Sequence, residues 1–92
     1  MYRIIDTRGT GKTSRLMLIA KENNAVFVCK NPQAMKSKSY SYGIVGIDFV
    51  SYEDFLDYQV QGQKIVIDEL EDFIKFALNG VELIGYSLSK DN

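Results

Sequence analysis

Residues 6–13 read Asp6-Thr7-Arg8-Gly9-Thr10-Gly11-Lys12-Thr13, a glycine-rich turn with regular structure expected on both sides. Before it stands Tyr2-Arg3-Ile4-Ile5, a short β-prone segment. After it, Leu16, Met17, Ile19 and Ala20 supply one apolar face, which predicts a helix from Thr13 to about Asn23. Gly9 and Gly11 let the backbone bend so that consecutive N–H groups face one concavity. The positive end of the helix dipole lies at the same place, so the corner suits an anion.

Moving outward, Ala25-Val26-Phe27-Val28-Cys29 is a continuous apolar run, the mark of a strand buried on both faces. Asn31 is placed to cap a helix with Pro32 in its first turn, running to about Tyr42 and ended by Gly43. A third strand is predicted at Ile47–Val50. Ser51-Tyr52-Glu53-Asp54 resembles a capping box opening a short helix through Phe55, Leu56 and Tyr58. Lys64-Ile65-Val66-Ile67-Asp68 reads as a fourth strand. Leu70, Phe73, Ile74, Ala77 and Leu78 mark an amphipathic helix stopped by Asn79-Gly80. Glu82 to Tyr86 reads as a fifth strand. Strand and helix alternate throughout, which predicts one domain over residues 1–92: a three-layer α/β/α arrangement around a five-stranded, mostly parallel sheet.

Composition narrows the chemistry. The 92 residues are 46% hydrophobic and 25% charged, a globular balance. A single Cys excludes a disulfide framework, and the absence of His excludes every His-dependent general-base scheme. No apolar run approaches the ~18 residues of a membrane span, so a cytoplasmic protein is expected. Net charge is only −1, which argues against a dedicated nucleic-acid binder. Its distribution is uneven. Residues 1–42 carry eight Lys/Arg against Asp6 and Glu22, a balance of +6; residues 43–92 carry three Lys against ten acids, a balance of −7. Such asymmetry suggests an anion-binding half and an acidic half, or complementary faces in an assembly; the bland alternative is that the fold mixes these charges in space.

Placed between strand and helix, residues 6–13 resemble the Walker A motif of the P-loop NTPases, with Asp6 where that pattern has its first Gly. The resemblance implies that Arg8, Gly9, Thr10, Gly11, Lys12, Thr13 and Ser14 bind the phosphates of a nucleotide. Lys12 would reach the β- and γ-phosphates as a point charge, and the Thr13 hydroxyl would ligate Mg²⁺. Asp6 adds negative charge beside a polyphosphate, which weakens binding unless its side chain turns away to cap the loop.

Ile65-Val66-Ile67-Asp68-Glu69, an apolar strand ending in two carboxylates, is similar to a Walker B motif. By that likeness Asp68 holds Mg²⁺ through its water shell and Glu69 orients or deprotonates the attacking water. The bland alternative is that both acids simply start the next helix, where its dipole favours them.

The layout resembles the first RecA-like domain of superfamily 2 helicases, and small phage-type ATPases, in which the strand after Walker B ends in a sensor of the γ-phosphate. Ser87 is the matching residue here, and a solvated loop hydroxyl is its competing reading. In that layout the final strand separates the Walker B strand from the P-loop strand. No arginine follows Arg15, so a charge-stabilising finger must come from Arg3, Arg8, a second copy or a protein partner. Lys30, Lys36 and Lys38 with Tyr40 and Tyr42 form the stretch that touches nucleic acid in helicase-like domains; here a surface helix with its tyrosines packed on the sheet is expected instead.

The function expected is Mg²⁺-dependent binding of a nucleoside triphosphate, ATP first, with slow hydrolysis to diphosphate and phosphate. The alternative is a nucleotide-dependent interaction module without hydrolysis, or a degenerate P-loop remnant.

Overall fold

In the computed structural model, residues 3–5, 11–87 and 89 are described. The chain runs α1 (Lys12–Glu22), β1 (Val26–Cys29), α2 (Pro32–Ser41), β2 (Phe49–Ser51), α3 (Tyr52–Asp57), β3 (Ile65–Ile67) and α4 (Leu70–Leu78). The strands form one sheet in the order β2-β1-β3, parallel throughout. Phe27 stands opposite Phe49 on one side and Val66 on the other. These three side chains therefore share a face.

On that face lies the core: Met17 and Ala20 from α1, Phe27 and Cys29 from β1, and Ile44, with Met35 of α2, Phe49 and Val66 packed against them. The continuous apolar run of β1 makes it the central strand, and Phe27, Val28 and Cys29 are all buried. Val28, Val50 and Ile67 share the opposite row by register, the side where α3 and α4 join through Phe55 and Phe73, ring centroids 6.0 Å apart.

The expected caps form. Asn31 accepts a hydrogen bond from the Ala34 N–H at 3.1 Å with Pro32 following, and Ser51 accepts from the Asp54 N–H at 3.0 Å. The buried Ser39 hydroxyl donates to the Ile44 carbonyl, tying the exit of α2 back to the helix. Asn79 and Gly80, both at positive φ, turn the chain out of α4.

Among the described residues the sheet has three strands, not the five expected. Residues 3–5 and 81–87 make no ladder, and Ile5 and Ile84 are 89% and 91% exposed. β-propensity measures how a side chain fits a neighbouring strand, and a segment without that neighbour has nothing to fit. The outer edge of β3 faces no strand among the described residues, so no final strand stands between the Walker B-like strand and residues 3–5.

Three further expectations need correction. Tyr40 and Tyr42 are exposed rather than packed on the sheet, because the apolar anchor of α2 is Met35 on another side of the helix. The five Phe read as mostly core residues, yet only Phe27 is fully buried. Helix α4 is amphipathic as read, yet buries no residue completely, since it packs against the six-residue α3 at the margin of a narrow sheet. No helix among the described residues is long and apolar enough to cross a membrane.

Candidate functional site

Parallel strands deliver the residues that follow them to a single edge, where ligands of open α/β sheets bind. Here Lys30 follows β1, Tyr52 follows β2, and Asp68 and Glu69 follow β3. The start of α1 meets the same edge. Gly11 caps that helix at φ +80, a conformation any side chain would strain, and as a glycine it offers the first turn no side-chain cap. With no acid in its first turn, this end of α1 keeps its positive potential. The Ser14 hydroxyl donates back to the Gly11 carbonyl at 3.0 Å, closing the corner.

Lys12 and Glu69 meet across the edge, Nζ to Oε1 3.7 Å, both partly exposed. Asp68 is half-buried beside them. Burial pushes its carboxyl up, Glu69 adds to the rise, and Lys12 and Lys38 oppose it. A second bridge, Lys30 Nζ to Asp72 Oδ2 at 3.0 Å, joins the end of β1 to α4. Asp68 is thus a carboxylate raised by burial and by neighbouring acids, with the charges of Lys12 and Lys38 acting against that rise.

The backbone behind the two acids is unusual. Glu69 sits at φ 58, ψ 70, the left-handed region, between β3 and α4. The Asp68 N–H donates to the Val28 carbonyl at 2.9 Å. On the other side, the Tyr52 hydroxyl donates to the Asp68 carbonyl at 2.8 Å and leans toward that of Glu69 at 3.3 Å. Tyr52 is almost fully buried, and burial and then Asp72 push its phenol up to about 12. This tyrosine did not figure among the expected site residues. Its only sequence signal is its place directly after a strand, on the edge that carries the chemistry.

Of the expected site residues, Lys12, Asp68 and Glu69 come together, with Gly11, Thr13 and Ser14 in the corner that presents Lys12. Asp6, Arg8, Gly9 and Thr10 lie outside the described residues. Ser87 is exposed, outside any strand, and no hydrogen bond joins it to Lys12, Asp68 or Glu69 among the described residues.

No group of three or more His, Cys, Asp or Glu converges on a metal site among the described residues. Thr13 and Asp68 offer a hydroxyl and a carboxylate, two hard oxygen donors. Each is a donor of the type Mg²⁺ takes, an ion that keeps several waters and accepts further oxygens from phosphate. Two shallow cavities of about 310 and 460 Å³ open around Val26 and Gln63, where β1 and β3 begin; neither is lined by Lys12, Asp68 or Glu69. Comparison with models of known protein families, with curated proteins and with solved structures finds no match to this chain.

Proposed function

We propose that the chain binds a nucleoside triphosphate, ATP first, with Mg²⁺ at this edge and hydrolyses it slowly to diphosphate and phosphate. One observation carries the reading: Lys12 at the start of α1 lies 3.7 Å from Glu69 at the end of β3. A cation for phosphate and a carboxylate for water stand face to face, although the sequence holds them far apart.

The pair also suggests an order of events. In the free protein Glu69 is the partner of Lys12. A γ-phosphate is a stronger partner for the ammonium, so its arrival releases the Glu69 carboxylate to hold and polarise a water. The first-turn N–H groups of α1 add donors to the phosphates. Mg²⁺, held by Thr13 and Asp68, would neutralise developing charge on the phosphate oxygens. With no arginine after Arg15, turnover is expected to be slow unless a second copy or a protein partner supplies positive charge. We place this activity in the cytoplasm, in keeping with one buried free thiol, Cys29.

A second reading, a nucleotide-dependent interaction module without hydrolysis, draws on the exposed Val81, Ile84 and Tyr86. Calorimetric titration with ATP and GTP, with and without Mg²⁺, tests the shared premise. Binding should require Mg²⁺, and Lys12→Ala should cost about 1.5–3 kcal/mol, more than tenfold in affinity. Equal binding by Lys12→Ala would sink the phosphate site. Single-turnover hydrolysis then separates the two readings, because only if there is a reaction does Glu69→Gln slow it, to a residual rate that stays measurable.

A further inference from the structure

We infer that Tyr52 is a positioning residue for this site: its hydroxyl, by holding the carbonyls of Asp68 and Glu69, sets the direction in which the two carboxylates leave the end of β3. The inference rests on the nucleotide reading above. Order β2-β1-β3 puts the Tyr52 strand two places from the acids, about 9–10 Å away across β1. A side chain as long as tyrosine spans that gap, and only its terminal oxygen arrives. It arrives on the backbone at 2.8 and 3.3 Å and engages neither carboxylate.

The hold is well supported from behind. The ring lies edge-on to Phe73, centroids 5.3 Å apart at 77°, and 5.9 Å from Phe76, both on α4. Ser51 fixes the start of α3 through the Asp54 N–H, so the residue that carries the ring cannot drift. Among the described residues, the backbone of the two residues it steadies is otherwise held by Asp68 N–H to Val28 C=O and by Phe73 N–H to Glu69 C=O at 3.1 Å. Between those two bonds the chain makes its left-handed turn at Glu69. A backbone at φ 58 is not a conformation a glutamate keeps unaided, and the tyrosine hydroxyl lies where that turn is made. Loss of the hydroxyl lets the peptide between Asp68 and Glu69 relax, and Glu69 swings relative to Lys12.

Tyr52→Phe tests this, since it keeps the ring against Phe73 and Phe76 and removes one oxygen. In single-turnover hydrolysis at saturating Mg²⁺ and ATP the rate should fall about tenfold, while the dissociation constant for ATP stays within about twofold. In a Glu69→Gln background the same change should have no further effect, because the hydroxyl acts through the carboxylate already removed. A thermal melt confirms that the variant is folded at the temperature of assay. An unchanged rate in Tyr52→Phe, or losses that add fully to those of Glu69→Gln, overturns the role while leaving the function standing. Wild-type chain that binds no nucleotide overturns the function itself, and the role with it.

Discussion

Glu69 carries the costliest backbone conformation among the described residues. Three non-glycine residues have positive φ, and two of them, Asn24 and Asn79, belong to the type that tolerates it. Glutamate does not, and the left-handed region costs it about 1 kcal/mol. Such strain persists where the surroundings fix it, and it points to a site selected for something other than stability. Glycine and alanine at this position both delete the ion pair with Lys12, so the difference between them isolates the backbone. Glu69→Gly should unfold in urea with about 1 kcal/mol more stability than Glu69→Ala, the reverse of the usual order. Equal stability would mean that φ at residue 69 is relaxed. The same position shows the limit of reading residues one at a time. Asp68-Glu69 announces two acids at a strand end, but nothing in a Glu-Leu-Glu sequence announces a left-handed turn. Nor does an isolated Tyr after Ser51 reveal a hydroxyl that reaches across a strand.

At the scale of elements, what was legible depended on whether the signal was local. Asn31-Pro32 states a helix start within two residues, and α2 begins there; Ser51 does the same for α3, and Asn79-Gly80 ends α4. The apolar run at 25–29 marked a strand buried on both faces for a reason equally local, since only a doubly covered strand is apolar at every position. Partners, by contrast, are not written in a segment. Glu82 to Tyr86 carries Leu83, Ile84 and Tyr86, apolar enough for a strand, but pairing depends on an edge elsewhere in the chain. The apolar stripe of α4 likewise tells which face is apolar without saying how much of it the rest of the protein covers. The local signals can be weighed. Asn31→Ala removes the acceptor for the Ala34 N–H and should cost about 1 kcal/mol. For a domain of this size that is a fall of about 4–8 °C in Tm, readable in one thermal scan. A shift below about 1 °C would show that Pro32 alone suffices to start the helix.

For the whole molecule, the uneven charge of the sequence resolves into contacts within one chain. Lys12–Glu69 and Lys30–Asp72 each join a cation of the basic half to an anion of the acidic half. Exposed pairs of this kind contribute at most about 1 kcal/mol each, so they do not set how stability follows pH. Protons held in the interior do. Burial pushes the Cys29 thiol from 9.0 up to about 11, with Asp68 adding to it, and pushes the Tyr52 phenol from 10.0 up to about 12. Both groups are neutral when protonated, and both keep their proton more tightly folded than unfolded. The unfolded chain therefore carries fewer protons over this range, and unfolding becomes easier as pH rises. Their contribution is complete below about pH 9, declines through the thiol window first, and is gone once pH passes about 12. Urea unfolding followed by far-ultraviolet circular dichroism should thus give a midpoint that falls steeply between pH 9 and 12. Weakening of favourable surface charge pairs at alkaline pH would produce some decline without any buried proton. Tyr52→Phe distinguishes the two causes, because it leaves every lysine in place and removes one interior acid. Its midpoint starts lower, for want of the hydroxyl bond, but should fall less steeply above pH 10. Parallel slopes for the two proteins would show that the alkaline loss belongs to the surface, and that the phenol of Tyr52 titrates as freely as an exposed one.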